Sequence, residues 1–418
     1  MTHSITEYGL IRRRRDFPDG VDSLTELYLP DEPFDALRNF VTENETDAVM
    51  QFFLQKGRET MRVKNYVGLL ETREGMLLEI LPKATDAGTA RAILLRMLRH
   101  LRGNPYRWVD SAWQGANRLP LWEIFITLFL DELVPLGTKG LQKAYVPQTE
   151  NRPVLRGKLN LTEQIRQNSF HAERMVTTFD EQTTDLPPNR LLKSALEFVQ
   201  KRARSIANQS RIRQLLFAMD EVPASERLAD DWRKVSASNR LFAHYQPALR
   251  WAEAFLGGRS FGLMPGRHLT LALLFPMERV FEDYVAAGFK RYVTDGDVII
   301  QEATQHLIDN HSGTRKFRLR PDILLRRNAI TTVLDTKWKR IDPSNVAGNY
   351  GIDQADLYQL YAYGKKYGAA ELVLLYPATE QFQQPLDLFG YDETMHLRVV
   401  PFDLTLPLEE AVRTSMMK

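Results

Sequence analysis

The chain has 418 residues, with 55 Lys and Arg against 53 Asp and Glu, a formal net charge of +2. That balance excludes a histone-like polycation, while a local basic groove on a near-neutral protein stays open; the length suits about three domains or two large ones. There is no cysteine, which excludes disulfide scaffolds, zinc ribbons, iron–sulfur clusters and a thiol nucleophile.

The N-terminal stretch MTHSITEYGLIRRRRDF has no apolar core of the signal-peptide kind, so the expected compartment is the cytoplasm. The first hundred residues read as β-rich before turning helical. In residues 65–83, NYVGLLETREGMLLEILPK, two apolar runs flank residues 72–75, which predicts a β-hairpin. Pro82 is expected to end its second strand. Residues 90–101 carry Ile93, Leu94, Met97, Leu98 and Leu101 at helical spacing. Residues 119–134 are the most apolar stretch, but Glu123, Asp131 and Glu132 interrupt it, so a buried helix is expected and no membrane span.

Helices are predicted over residues 121–134, 188–205, 210–219 and 236–256, with strands near 157–161 and 171–179. Residues 257–266 hold four glycines and a proline and read as a hinge. Beyond it the spacing predicts a helix over 275–290, a strand over 298–305, and strands over 317–325 and 330–337 joined as a hairpin through 326–329. A helix over 353–367 and strands over 371–376 and 396–402 complete the pattern. The order α-β-β-β-α-β predicts a mixed sheet with helices packed on it. The expected architecture is multidomain α/β: a β-rich region 1–102, a mainly helical region 103–260 and a mixed-sheet domain 261–418.

The chemistry concentrates on the predicted hairpin, RPDILL at 320–325 and VLDTKWK at 333–339. Strand side chains alternate faces, so Asp335 and Lys337 point the same way. Antiparallel pairing can bring Asp322 beside Asp335 at the hairpin's end. Two close carboxylates repel unless a cation neutralises them. Mg²⁺, with Mn²⁺ as the alternative, suits such a pair because it takes hard oxygen ligands and keeps waters and phosphate in its shell. Lys337 would then orient a water or face developing negative charge, and the implied reaction is phosphodiester hydrolysis. A bare D-x-K on a strand is also what a surface ion pair looks like. What favours chemistry is the placement of the acids at the polar ends of apolar strands, with helices bearing Glu and Gln on either side.

P-D-I-L-L followed by L-D-T-K-W-K resembles the PD-(D/E)xK nuclease superfamily, and Gln354 and Tyr358 in DQADLYQLYAY resemble the Q-x₃-Y helix of its RecB-like branch. Within that branch the chain is similar to the McrC family, the nuclease subunits of McrBC modification-dependent restriction systems. MERVFEDYV at 277–285, the 66–83 hairpin and TTDLPPNRLLKSAL at 183–196 carry further likeness. The resemblance implies a restriction-endonuclease-like C-terminal domain in which Asp322 and Asp335 ligate the metal and Lys337 is the catalytic lysine. It implies that Glu282 is a metal-site glutamate, with Glu278 one turn away as its rival. Gln354 and Tyr358 would support the site or the DNA backbone. The second acid is Asp335 rather than Glu, an accepted variant of the pattern. The resemblance also implies a partner: hexamers of an AAA+, McrB-like GTPase that binds GTP and reads methylated, 5-methylcytosine-type DNA. Residues 1–260 would dock on it.

Arg318, Arg320, Lys339 and Arg340, with Arg315 and Lys316, would form a cationic rim that contacts double-stranded DNA through its backbone. Arg12–Arg15 reads either as a solvated strand end or as a phosphate or partner contact. The eight histidines form no H-E-x-x-H cluster, and no G-x-x-x-x-G-K-[ST] loop exists, so the chain is expected not to hydrolyse nucleotides itself. Two other functions stay open: an adaptor that activates an NTPase with cleavage secondary, and a free-standing repair nuclease.

Overall fold

The structure, a computed structural model, describes residues 2–43, 49–73, 75–83, 86–102, 119–171, 173–236, 240–257, 269–327, 330–392 and 394–417. Contacts divide the described chain into two compact units, residues 2–102 with 269–417 and residues 119–257. No helix of the described residues is long and apolar enough to cross a membrane.

The first unit opens with β1 (Thr2–Thr6), β2 (Leu10–Arg13), β3 (Glu26–Leu29), α1 (Asp31–Glu43), β4 (Met50–Gln55) and β5 (Arg58–Val63). β6 (Tyr66–Thr72), β7 (Leu77–Leu81) and α2 (Ala87–Leu98) follow. Strands β3, β2, β5 and β4 lie in that order in one sheet, while β1 pairs parallel to β7 and β7 antiparallel to β6 in another. The predicted hairpin over 65–83 is thus β6–β7. Helix α2 starts three residues before the predicted position because Asp86 caps it, its carboxylate accepting from Thr89 N–H at 2.9 Å. Every arginine of the run pairs with an acid of its own unit, but only Arg13 is inside. Arg13 is buried and meets Asp31 at 2.9 Å, Asp35 at 2.7 Å and Glu59 at 2.5 Å. Arg12 pairs with Glu26, Arg14 with Asp22 and Arg15 with Asp31.

The second unit contains α3 (Leu121–Lys139), β8 (Ala144–Arg152), β9 (Lys158–Leu159), α4 (Leu161–Asn168), β10 (Met175–Thr183), α5 (Pro187–Gln200), α6 (Ile206–Ala218), α7 (Leu228–Ser236) and α8 (Gln246–Gly257). Its core stacks Trp122, Phe129, Phe198 and Trp251 around Phe255. The acid inside apolar α3 ties two helices together. Glu123 accepts from the N–H groups of Arg204 and Ser205, at the start of α6, and from the Asn208 amide. The helix expected over 236–256 is α only from Gln246, because Pro247 suits a first turn and not an interior. Strand β8 was not expected: its sequence, AYVPQTENR, is polar and carries Pro147, yet it pairs antiparallel with β10 along its length. The glycine-rich stretch 257–266 lies almost wholly outside the described residues.

The chain re-enters the first unit through β11 (Leu269–Pro276), which pairs antiparallel with β6 and extends the sheet to β1-β7-β6-β11. The N-terminal region and the segment after the hinge therefore share a sheet. Gly68 permits the pairing: a Cβ there would lie 1.9 Å from the Leu273 carbonyl oxygen. Then come α9 (Met277–Tyr292), β12 (Asp297–Ile300), β13 (His306–His311), β14 (Thr314–Arg318), β15 (Ile323–Arg327), β16 (Ile330–Thr336), α10 (Gln354–Tyr367), β17 (Glu371–Pro377), β18 (Phe389–Asp392), β19 (Met395–Phe402) and α11 (Leu408–Met416). The sheet order is β12-β15-β16-β17-β19-β18, with β16, β17 and β19 parallel and the others antiparallel to their neighbours. This is a mixed sheet, and α10 makes the crossover that a parallel β16–β17 pair requires. Leu360 and Tyr363 of α10 join Leu324, Val333, Leu372 and Leu374 in its core. The strand expected over 317–325 is broken between Arg318 and Ile323, where Pro321 has no N–H for a ladder. The turn between β15 and β16 includes residues 328–329, outside the described residues, but Arg327 pairs with Ile330 beside it.

Candidate active site

Strand pairing sets the site. Ile323 faces Leu334 across β15–β16, so Asp322 and Asp335 stand one step further along, opposite each other at the strand ends. Thr336 fixes Asp322: its N–H and its hydroxyl both donate to Asp322 Oδ2, each at 2.7 Å. Asp335 is 2% exposed, and its Oδ2 lies 2.5 Å from Lys337 Nζ.

The charges are strongly coupled. Burial, then the neighbouring carboxylates Asp335 and Glu282, push the Asp322 carboxyl up to about 8. Burial raises Asp335 too, against the pull of Lys337. Burial disfavours the Lys337 ammonium, but Asp335, Asp356 and Asp322 outweigh it, and its pKa lies above the ordinary lysine value. Such a site holds more negative charge than its own lysine offsets.

Glu282 and Glu278 part ways in α9. Glu278 is exposed, whereas Glu282 is half-buried and acts electrostatically on both aspartates. Glu282 Oε1 accepts from Arg102 Nη2 at 2.6 Å and from Gln301 Nε2 at 2.5 Å. Arg102 is held in turn by Asp283, which accepts from its backbone N–H at 2.8 Å and from its Nε. Gln301 also donates its N–H to the Asp322 carbonyl at 2.9 Å. Among the described residues no three His, Asp or Glu side chains form a ready metal cage.

Helix α10 supplies an unexpected pair. Gln354 and Tyr358 are exposed and bond each other at 2.6 Å. Five residues on, the same Q-x₃-Y spacing recurs as Gln359 and Tyr363, and this pair reaches the site. Lys337 Nζ donates to Gln359 Oε1 at 3.3 Å, Gln359 Nε2 donates to the Tyr363 hydroxyl at 2.7 Å, and that hydroxyl donates to the Arg320 carbonyl at 3.2 Å. Asp356, also unforeseen, lies 3.7 Å from Lys337 and accepts from Lys339 at 2.9 Å.

The expected cationic rim is partly engaged. Arg320 donates to Gln301, Arg318 Nε to the Ala303 carbonyl at 2.6 Å, and Lys339 pairs with Asp356; Arg318, Arg320, Lys339 and Arg340 all remain exposed. Behind Lys337, the Trp338 ring packs on Phe281 with centroids 5.3 Å apart. Its indole N–H donates to both oxygens of buried Glu7, at 2.9 and 2.8 Å. The β1–β2 connection thereby grips the end of the strand that carries the D-x-K.

The family described as "McrBC 5-methylcytosine restriction system component" matches residues 61–377, about three quarters of the chain. The chain belongs to that family. It is thus a restriction-system component of the McrBC type. Two solved McrBC structures resemble it. One, the refined half-complex from a tetradecameric assembly of Thermococcus gammatolerans McrB AAA+ hexamers with bound McrC, aligns with a TM-score of 0.72 at 19% identity, covering 100% of this chain and 99% of that one. The other, the cryo-EM structure of the Thermococcus gammatolerans McrBC complex, aligns at 0.51 and 18% identity over 70% and 88% of the two chains. At those identities the likeness is one of fold. Comparison with curated proteins finds no match.

Proposed function

We propose that this McrBC component is the McrC-type nuclease subunit, a metal-dependent DNA endonuclease with a PD-(D/E)xK site at Asp322, Asp335 and Lys337. The observation that carries the reading is the pair of opposed, partly or fully buried carboxylates with Lys337 Nζ 2.5 Å from one of them. A merely structural ion pair does not need a second buried acid across the ladder.

The donor set suits Mg²⁺, which is commonly held by one or two carboxylates with waters and substrate phosphate completing its shell. Asp322 and Asp335 would hold it, with Glu282 turning from Arg102 or acting through water. When bound, the ion would lower the pKa of a water and offset charge on the phosphate. The chain's own groups do the rest. Thr336 fixes the Asp322 carboxylate, and Gln359 and Asp356 steer the Lys337 ammonium. Lys337, charged across the working pH range, faces the negative charge that develops on the phosphate.

For the partner, the reading follows the family: an AAA+, McrB-like GTPase hexamer that binds GTP and reads modified DNA, while this chain docks through residues within 1–260. Several apolar side chains there, among them Leu155, Leu161, Ile165 and Phe170, are exposed, as a protein-binding surface requires.

The test is cleavage of DNA by the chain assembled with its AAA+ partner in Mg²⁺. Lys337→Ala and Asp335→Asn should each lower the rate by about 10²-fold or more. They should leave stimulation of the partner's NTPase intact. Cleavage that persists in both variants would remove the nuclease assignment and leave the adaptor function.

A further inference from the structure

The hairpin β13–β14 stands off the main sheet and leads straight into the site. Its two-residue turn, Ser312 and Gly313, has φ of 50° and 78°, the left-handed pair that a tight type I′ hairpin needs. Its residues are exposed apart from His306. The ladder pairs His306 with Arg318 and Ile308 with Lys316, and between those pairs lie Leu307 and Phe317, 44% and 73% exposed. Phe317 has φ of 55° within β14, a conformation that strains a bulky residue. Strain of this kind persists where surrounding structure imposes it, and it re-aims the side chain out of the strand's alternation.

The surroundings of that ring are cationic. Lys316 and Arg318 flank it and Arg315 precedes them, while the one acid on the hairpin, Asp309, is taken up by Lys366 of α10 at 2.7 Å. A protein partner would ask for a broad apolar centre; here one aromatic, with only Leu307 and Ile308 exposed on the same hairpin, is set among phosphate-binding cations, which is the chemistry of a wedge into a base step. The hairpin is also tied down. Lys366 holds Asp309 of the hairpin, and the Tyr367 hydroxyl donates to the carbonyl of Glu302, four residues before it, at 3.2 Å, both from the helix that carries Gln359. Phe317 precedes Asp322 by five residues. An extended chain of that length reaches about 17 Å at most, or about five base pairs.

We propose that β13–β14 is a DNA-distorting ribbon: Phe317 inserts at a base step within about five base pairs of the cut phosphate, while Arg315, Lys316 and Arg318 clamp the flanking backbone. This rests on the nuclease reading and adds a second, non-catalytic DNA site to it. Opening a step softens the duplex and lets the phosphate settle against Asp322, Asp335 and Lys337.

The experiment uses the full chain with its AAA+ partner on duplexes carrying 2-aminopurine at each step in turn, with Ca²⁺ in place of Mg²⁺ for the binding arm. Wild type should raise fluorescence at least about twofold at one step near the cut. Phe317→Ala should abolish that rise and slow Mg²⁺-dependent cutting about tenfold, and Phe317→Trp should keep both. A duplex with a mismatch at the responsive step should restore cutting by Phe317→Ala. Arg315→Gln with Lys316→Gln should lower the slope of log affinity against log salt by about 2. Phe317→Ala cutting intact duplex at the wild-type rate, or a silent 2-aminopurine scan with bound wild type, would overturn the ribbon. A wild type that fails to cut at all would instead strike the nuclease reading, and the fluorescence scan would still judge the ribbon.

Discussion

At the scale of single residues, the site is defined by opposed electrostatic demands. Asp322 titrates near 8 in the fold against about 4 in an unfolded chain. The folded state therefore holds that proton more tightly. Its contribution to stability is fully present below about pH 4, and it is lost as pH rises through about 8. Asp322→Asn keeps the acceptor for Thr336 and removes the charge. In EDTA at pH 8.5 the variant should melt a few degrees above wild type, since about 1 kcal/mol moves Tm by roughly 2–4 °C in domains of moderate size. The gap should close towards pH 5, and the variant should not cut DNA. A gap that does not change with pH would contradict the coupling described. This is the usual opposition of stability and activity at a charged site.

The same scale separates the two Q-x₃-Y pairs. Gln359→Ala should lower DNA cleavage roughly tenfold, because Lys337 loses the acceptor that steers it. Gln354→Ala and Tyr358→Phe should cut within about twofold of wild type, since their side chains bond only each other among the groups described. The reverse ranking in a cleavage assay would restore the first pair to the site.

At the scale of elements, what the sequence showed followed from what is local. The D-x-K strand was legible because side-chain alternation puts Asp335 and Lys337 on one face, and the partner acid sits at the matching end of the preceding apolar run. The α10 pair was not. Gln354 and Gln359 carry the same spacing, and a shift of five residues turns a helix by about 140°, so only packing against β16 decides which faces the site. The burial of Arg13 within the arginine run was not legible for a different reason: its acids, Asp31, Asp35 and Glu59, come from α1 and β5. The Glu7–Trp338 contact spans 331 positions and has no sequence signature. Trp338→Phe keeps the ring and removes the donor, leaving a buried carboxylate short of partners. It should destabilise the protein by about 1–3 kcal/mol in denaturant titration, and Glu7→Gln combined with it should recover part of that loss. An unchanged midpoint for Trp338→Phe would show that Glu7 is satisfied otherwise.

At the scale of the whole molecule, one unit carries the acids, the lysine and the cationic hairpin, and the other carries none of them. The near-neutral net charge fits that division, because the cations Arg315, Lys316 and Arg318 are concentrated on β13–β14 of one unit and the chain as a whole is not a polycation. The β-rich N-terminal strands belong to the unit with the site, joined to it by β11 and by Glu7. If docking within residues 1–260 involves these N-terminal strands, it would bear on elements that touch the D-x-K strand.

The most direct measurement is plasmid cleavage by the chain with the proposed AAA+ partner, in Mg²⁺ and nucleotide, on methylated and unmethylated DNA, comparing wild type with Lys337→Ala and following NTPase turnover in the same tubes. Wild type alone should cut, and only methylated plasmid, with NTPase stimulation the same in both proteins. Cutting that survives Lys337→Ala, or NTPase stimulation without cutting by wild type, would contradict a nuclease centred on Asp322, Asp335 and Lys337.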